Sequence, residues 1–178
     1  MYTVDMRIVG EDGKLLPHDG KAFGELQVKG HAIIDGYHED EEASVAAMTE
    51  DGWLKTGDVA RITPEGFMML VDRTKDLIKS GGEWISSIDL ENAAQGHPSI
   101  MECAVISAYH PQWGERPLLI AVTENDVTLN LEDIHEYLND KVAKWWLPDD
   151  VVFVEELPHT ATEKISKITL REQFKDYK

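Results

Sequence analysis

The sequence predicts an α+β fold in two parts, a β-rich segment over residues 1–74 and a small α+β domain over residues 75–178. The first observation is a series of short strand patterns, separated by glycine- and proline-containing turns, in the first part. The second is that apolar, β-branched runs alternate with helix-spaced leucines in the second part. The third is the short polar stretch 73–76, where the strand-and-turn pattern gives way to alternating strand and helix patterns. The boundary is therefore expected there.

The strand patterns of the first part are joined by tight turns. Residues 6–9 run into Gly-Glu-Asp-Gly, and residues 24–30 alternate apolar and polar between glycines, which is typical of a half-buried strand. Residues 59–63 and 67–72 flank Pro-Glu-Gly and predict a hairpin. One short acidic helix is predicted over residues 39–48.

The second part predicts the order β-α-β-β-α-β-α. Apolar residues recur at helical spacing over residues 131–142 and predict an amphipathic helix. Ser87 is expected to cap an earlier helix that ends near residue 97. The remaining elements are strands at residues 77–79, 101–110, 118–124 and 151–154, and a final helix at residues 169–177.

The composition is that of an acidic globular protein. Of 178 residues, 34 are acidic and 17 are basic, which gives a formal net charge of −17, and 42% are hydrophobic. This charge argues against nucleic acid and anionic membranes as main partners. No apolar run approaches the roughly 20 residues of a transmembrane helix, and the N-terminus lacks a secretory pattern. The single cysteine, Cys103, excludes an internal disulfide framework and indicates a cytoplasmic location.

The charge is unevenly distributed. Residues 158–178 contain five basic and three acidic side chains, although the rest of the chain is strongly acidic. A basic tail of this kind can bind an anionic ligand. It is also what a C-terminal helix with lysines near its end produces, because the helix dipole favours cations there. Charge alone favours the second explanation.

Several common functional motifs are missing from the sequence. It has neither a G-x-x-x-x-G-K-[ST] phosphate loop nor G-x-G-x-x-G, and no histidine pair has metal-ligand spacing, so no metal site is predicted. Cys103 lies in a strand-like run and is expected to be a buried, inert thiol. Of the neighbouring Trp145 and Trp146, one is expected in the core, since neighbours cannot both face the same side.

Four segments, taken together and in order, indicate a function more specifically than composition or charge does. They are Asp-Gly-Trp-Leu-Lys-Thr-Gly-Asp at 51–58, Asp-Arg-Thr-Lys-Asp at 72–76, Lys-Ser-Gly-Gly-Glu-Trp-Ile at 79–85 and Pro-His-Thr-Ala-Thr-Glu-Lys-Ile-Ser-Lys at 158–167. This series resembles the C-terminal part of the adenylate-forming enzymes, which include acyl-CoA synthetases, luciferase and the adenylation domains of peptide synthetases. The amino-acid sequence of residues 78–87 and 110–117 most resembles that of the medium- and long-chain fatty-acyl-CoA ligases. The resemblance covers essentially the whole chain.

The resemblance implies a domain organisation. Residues 1–74 would be the end of a large N-terminal domain, part of a β-barrel. Residues 75–178 would be a small mobile lid with an antiparallel sheet and flanking helices, joined through a hinge at 73–76. The phosphate loop, the acyl pocket and the adenine site would lie before residue 1. The chain is thus expected to be a fragment that is inactive alone, with the missing N-terminal domain as its partner.

The resemblance also implies a reaction and its ligands. Fatty acid and ATP would give acyl-adenylate and pyrophosphate, and CoA would then give acyl-CoA and AMP. ATP, AMP and CoA would act as substrates or products, with Mg²⁺ accompanying ATP on the absent domain and no cofactor tightly bound. The alternative is a stand-alone, non-catalytic binding module that retains the lid fold.

Six residues carry the implied chemistry. Lys164 would be the adenylation lysine, and Asp58 and Arg73 would hydrogen-bond the nucleotide ribose. Without the resemblance, Asp58 would be interpreted as a turn carboxylate that caps backbone N–H groups, and Arg73 as a surface ion pair with Asp72 or Asp76.

The others concern backbone conformation. Lys75 would be the hinge residue, while Gly81 and Gly82 would let the backbone approach the pantetheine arm of CoA. A tight turn between a strand and a helix would also explain these glycines. One departure from the family pattern is Glu163, where glycine is usual and would adopt positive φ without strain.

Overall fold

The computed structural model describes residues 3–124, 127 and 129–177. These residues form two compact units that divide between Lys75 and Asp76. The structure is α+β, with two separate sheets and four α-helices among the described residues. The predicted fold class is therefore confirmed.

The first unit is built on a four-stranded antiparallel sheet. Its strands pair in sequence order, so the sheet is an open meander and not a closed barrel. The strands are β1 (Val4–Val9), β2 (Phe23–Gly30), β3 (Leu54–Ile62) and β4 (Met68–Arg73), with helix α1 (Glu41–Ala47) between β2 and β3.

A small apolar core lies on one side of this sheet. Ile8, Leu26, Ala60 and Ile62 are buried together, which matches the period-two pattern of their strands. The predicted acidic helix is confirmed as α1, whose first turn is capped by the Asp40 side chain accepting from the Ala43 amide.

The part of the second unit that the structure describes contains five strands and three α-helices. They are β5 (Ile78–Ser80), β6 (Glu83–Ile85), α2 (Ser87–Gln95), β7 (Ile100–His110), β8 (Gly114–Thr123), α3 (Leu131–Leu138), β9 (Asp150–Phe153) and α4 (Lys167–Gln173), with a 3₁₀ turn at Lys144–Trp146. Strand order is β6-β5-β8-β7, all antiparallel, and β9 pairs with β8 in parallel. The sheet is thus antiparallel apart from this last pair.

Alternate residues of β7 and β8 face two different cores, as the strand period requires. Val105 and Leu119 lie with Leu90 of α2 and Ile134 of α3 in the larger core. On the other face, a second core buries Ala104, Ile106, Leu118 and Ile120 against Leu157 and against Leu170 of α4.

Several predicted boundaries shift for local reasons. The N-cap of α2 is Ser86 rather than Ser87, because the Ser86 hydroxyl accepts from the Asp89 amide. Helix α3 ends at Leu138, four residues before the predicted end, where Asn139 and Asp140 favour turns over helix. Strand β6 was not predicted, because three residues are too few to show a period.

The predictions for the tryptophan pair and the cysteine are confirmed. Trp146 packs against the larger core, whereas Trp145 is 44% exposed. Cys103 is buried, and desolvation together with the neighbouring Glu91 and Glu102 carboxylates raises the pKa of its thiol to about 12. A thiol with this pKa is inert at neutral pH.

Candidate active-site elements

Asp58 and Arg73 face each other across strands β3 and β4. The two residues are register partners, and Arg73 Nε lies 3.1 Å from Asp58 Oδ1. The pair is open to solvent, since the Asp58 side chain is 26% exposed and that of Arg73 60% exposed. The result is an accessible carboxylate beside an accessible guanidinium, which together offer hydrogen-bond acceptors and donors to a polyhydroxyl ligand.

The backbone at Asp58 was expected to be a turn, and it is a strand with a bulge. Gly57 has φ of 73° inside β3, and the pairing between β2 and β3 shifts register opposite it. The Thr56 hydroxyl donates to the Leu26 carbonyl and accepts from the Asp58 amide. Asp58 therefore lies in a strand, directly after a glycine at a bulge, and its side chain pairs with Arg73.

Residues 73–76, the stretch predicted to be a hinge, begin as strand and continue as a turn. Arg73 is the last residue of β4, and residues 74–76 form the turn that follows. The Thr74 amide donates to the Gly57 carbonyl at 2.9 Å. Asp76 pairs with Arg171 of α4, and Arg73 pairs with Asp58.

Gly81 and Gly82 form a two-residue hairpin turn between β5 and β6. Both have positive φ, 60° and 88°, and the flanking Ser80 and Glu83 are register partners, which is a type I′ geometry. The expectation of a turn between strand and helix is thus corrected to a turn between two strands. The Gly81 amide donates to the Trp113 carbonyl, and a Cβ on Gly81 would lie 2.8 Å from the Trp113 ring.

Arg116 holds this hairpin in place. Its Nη1 donates to the Ser80 hydroxyl at 3.1 Å and to the Trp145 carbonyl at 2.8 Å. Its Nη2 donates to the Leu147 carbonyl, and its Nε pairs with Asp149 at 2.7 Å. One guanidinium, on a side chain that is 13% exposed, therefore connects strand β5, strand β8 and the segment that precedes β9.

Lys164 lies at the tip of a tight loop between β9 and α4. The Thr160 amide donates to the Lys164 carbonyl at 2.7 Å, and the Lys164 amide donates to the Thr160 hydroxyl. The side chain is exposed, and its ammonium pairs with none of the residues that the structure describes. This flexible cation is therefore available to an anionic ligand.

Glu163 adopts a left-handed conformation with φ of 60°. This conformation costs an L-residue about 1–2 kcal/mol and glycine almost nothing. The loop thus keeps the backbone shape for which glycine is suited, although its side chain is a glutamate.

We expect Glu163→Gly to stabilise the second unit slightly. Relief of the strain, about 1–2 kcal/mol, is offset by about 0.4–1 kcal/mol of extra chain entropy in the unfolded state. Urea unfolding of the two proteins measures the difference. Glu163→Ala serves as the control, because it removes the carboxylate and keeps the Cβ; stabilisation equal to that of glycine would show that charge, not backbone strain, is the cause.

His159 anchors the base of the Lys164 loop. Its Nε2 donates to Glu102 Oε1 of β7 at 2.7 Å, and its backbone bridges to Ile165. The hydrogen bond to Glu102 raises the pKa of His159 above its ordinary value. The loop is consequently fastened to the sheet by a contact that is strongest when the imidazole is protonated.

The second unit should therefore lose stability as pH rises from about 6.5, the ordinary pKa of histidine, through the raised pKa of His159. Across this interval the folded state holds a proton that the unfolded state has released. Titration of the His159 ring by NMR gives the folded pKa. In Glu102→Gln that pKa should return toward the ordinary value, and an unchanged pKa would contradict the assignment.

Helix α4, which follows the Lys164 loop, is fixed to α2. Lys167 Nζ lies 2.7 Å from Glu91 Oε1 and donates to the Ser87 hydroxyl at 2.7 Å. Within the described ranges, no helix is long and apolar enough to span a bilayer, and no cluster of three or more His, Cys, Asp and Glu side chains suits a metal ion.

Comparison with known proteins identifies the family. Residues 89–164 match the AMP-binding enzyme C-terminal domain. The chain is 49% identical over 175 residues to a 3-methylmercaptopropionyl-CoA ligase of Ruegeria pomeroyi, with 98% of this chain and 32% of that protein covered. A long-chain-fatty-acid–CoA ligase of Thermus thermophilus is 49% identical over 174 residues, with the same coverage. This chain belongs to the adenylate-forming enzyme superfamily.

The structural comparison agrees with this assignment. The crystal structure of ATP-bound MatB from Rhodopseudomonas palustris matches with a TM-score of 0.86 at 31% identity, covering 99% of this chain and 35% of that one. The chain thus spans about a third of the length of the relatives that it matches.

The structure locates each motif residue of this adenylate-forming chain. Asp58 and Arg73 are brought together in the first unit. In the second unit, Gly81 and Gly82 lie in the β5–β6 turn, and Lys164 lies in the loop before α4.

Four supporting residues were not singled out from the sequence: Arg116, His159, Lys167 and Arg171. Arg116 falls within the 110–117 stretch, and His159 and Lys167 fall within the 158–167 segment, both of which carry the resemblance. His159, Lys167 and Arg171 contact residues 57, 80 and 95 positions away, so that nothing in their local sequence indicates a partner.

Proposed function

We propose that this chain supplies the C-terminal part of a fatty-acyl-CoA ligase, an acid–thiol ligase that uses ATP. The observation that carries the proposal is 49% identity across 98% of the chain to a long-chain-fatty-acid–CoA ligase, with 48% to a medium-chain-fatty-acid–CoA ligase of Ectopseudomonas oleovorans. The Ruegeria pomeroyi relative is named for a different acid, and CoA ligation is common to all three.

The proposed reaction has two steps. A carboxylate oxygen of the fatty acid attacks the α-phosphorus of ATP, which enters with Mg²⁺, and pyrophosphate leaves. The CoA thiol, having lost its proton, then attacks the acyl carbonyl carbon, and AMP leaves with the bonding electrons. The products are acyl-CoA, AMP and pyrophosphate.

Lys164 is proposed as the adenylation lysine. Negative charge on the carboxylate and the α-phosphate must come together in the first step, and a cation that contacts both lowers the energy of that arrangement. The ammonium is suited to this role because it is exposed and has no competing partner among the described residues. Hydrogen bonds between Thr160 and Lys164 close the loop that presents it.

Asp58 and Arg73 are proposed to bind the ribose of the nucleotide. A carboxylate can accept hydrogen bonds from both hydroxyls of a ribose, and the guanidinium adds donors on the same side. Their mutual distance of 3.1 Å supports a joint role.

Lys75 is proposed as the pivot, and Gly81 and Gly82 as the loop beside the pantetheine arm. Lys75 lies in a turn that can absorb backbone torsion changes between the two steps. Around Gly82, nothing lies within 4 Å of where a Cβ would be, which leaves the backbone open to a ligand.

The rest of the ligase would come from a large N-terminal domain, and the present chain alone is proposed to be inactive. A cytoplasmic location is proposed on the basis of the unpaired Cys103. The alternative of a stand-alone, non-catalytic binding module is not favoured, because the relatives are named as CoA ligases.

A chimera tests the proposed function. In it, this chain replaces the matching third of the Thermus thermophilus ligase, which it covers at 98% of its own length. We expect the chimera to catalyse fatty-acid-dependent exchange of pyrophosphate into ATP and to form acyl-CoA, and the 178-residue chain alone to do neither. A folded but inactive chimera would contradict the proposal.

A further inference from the structure

Helix α4 is fixed at both of its ends to other parts of the second unit. Near its start, Lys167 is held by Glu91 and Ser87 of α2. Near its end, Arg171 Nη1 lies 2.5 Å from Asp76 Oδ1. The first set of contacts joins α4 to helix α2, and the second joins it to Asp76, the residue at which the unit begins.

The Arg171–Asp76 pair is well shielded from water. The Asp76 side chain is only 13% exposed and that of Arg171 27% exposed. The next two residues after Asp76, Leu77 and Ile78, are buried in the unit. From Asp76 onward, the backbone is therefore anchored by a charged contact and then by apolar packing.

The other side of the hinge is also fixed. Arg73 pairs with Asp58, and the Thr74 amide donates to the Gly57 carbonyl at 2.9 Å. Between these two anchors only Lys75 has no described contact of its side chain or amide. Among residues 73–76, Lys75 is thus the one with the fewest restraints.

We propose that Arg171 is a positioning residue for adenylation. By holding Asp76, it restrains the backbone on that side of the hinge, so that the Lys164 loop moves together with the backbone after Lys75. Lys164 precedes α4 by three residues. Since α4 is held to Asp76 through Arg171, any rotation at Lys75 carries the lysine loop with it. The inference rests on the proposed function for its consequence in catalysis, whereas the clamp itself can be tested on the chain alone.

Without Arg171, the Asp76 carboxylate would be left partly buried and unpaired, which favours fraying of the backbone toward water. The pivot would then extend to residues 76 and 77, and Lys164 would sample more orientations. Because a displacement of about 1 Å can cost about 10²-fold in rate, a modest loosening is expected to lower the rate without abolishing it.

The first test measures the clamp without any activity assay. In the 178-residue chain, ¹⁵N relaxation should give Asp76 and Leu77 amide order parameters near ~0.85, falling below ~0.6 in Arg171→Met. Arg171→Lys should restore them. Lys175→Met, an exposed site with the same loss of charge, should leave them unchanged.

The second test uses the chimera. Arg171→Met should lower kcat for pyrophosphate exchange by about 5- to 10-fold and leave the KM for ATP within about twofold, since ATP binding is assigned mainly to the other domain. Arg171→Lys should recover most of the rate, and Lys175→Met should match the parent. If Arg171→Met does not fold, Asp76→Asn removes the same ion pair with little change in shape.

The two tests distinguish failure of the Arg171–Asp76 clamp from failure of the proposed ligase function. Unchanged order parameters in a folded Arg171→Met chain would overturn the clamp, whatever the chimera does. Changed order parameters with an unchanged kcat would overturn the role of Arg171 in positioning Lys164. An inactive parent chimera would count against the proposed ligase function, and the relaxation measurement alone would then decide whether the clamp exists.

Discussion

Lys164→Ala in the chimera is expected to reduce pyrophosphate exchange by about 10²–10³-fold, the loss typical of removing one preorganised donor to a developing negative charge. The loop should keep its shape, because it is held by backbone contacts of Thr160 that do not involve the lysine side chain. The second step, started from synthetic acyl-adenylate, should be much less affected, since no carboxylate has to approach the phosphate.

Lys167→Ala provides a contrast in the same assay. Lys167 is already engaged with Glu91 and Ser87, so that its loss should lower stability more than it lowers the rate of a folded enzyme. If Lys164→Ala retained full exchange activity while its circular dichroism spectrum was unchanged, the assignment of the adenylation lysine would be wrong.

The second large effect is expected at Gly81, where alanine should cost the second unit about 2–4 kcal/mol. Part of this is the left-handed backbone, at about 1–2 kcal/mol, and the rest is overlap with the Trp113 ring, at about 1–2 kcal/mol. The Cβ would lie 2.8 Å from that ring, which has to move.

Gly82→Ala is the matched control for Gly81→Ala. Its φ is also positive, but nothing lies within 4 Å of its Cβ position, so it should lose only about 1–2 kcal/mol from backbone strain. Urea unfolding followed by tryptophan fluorescence reports mainly on the second unit, because it contains four of the five tryptophans and only Trp53 lies in the first unit. Equal losses for the two variants would show that the ring contact contributes nothing.

The elements that the sequence predicted best are those with a local cause. The alternation in residues 24–30 and the run at 101–110 became β2 and β7, because strand periodicity and β-branching are visible in a single segment. Helix α3 was predicted from leucine spacing, and only its end was misplaced, where Asn139 begins a turn.

Features that depend on distant partners were not predictable. Strand β9 pairs with β8 in parallel, and no pattern within its four residues distinguishes this from an antiparallel pairing. Asp58 was expected in a turn because Thr-Gly-Asp is typical of one, yet β2 and β4 on either side draw the segment into a strand. Tertiary pairing outweighed local preference here.

The proposed roles of the site residues came from the resemblance and remain predictions. Arg73 was expected to pair with a neighbour in sequence if it had no ligand role, whereas it pairs with Asp58, 15 positions earlier. That partner is itself one of the motif residues, which could not be known before the register of β3 and β4 was seen. The positive φ of Glu163, in contrast, is a conformation that suits the glycine usual in the family pattern.

The second core of the sheet has a consequence for synthesis on the ribosome. One face of β7 and β8 is covered by helices α2 and α3, which emerge close to these strands in the chain. The other face, with Ala104, Ile106, Leu118 and Ile120, is covered only when Leu157 and Leu170 have been added. Until about fifty further residues have left the exit tunnel after β8, the nascent chain therefore carries an uncovered apolar surface, of the kind that chaperones bind.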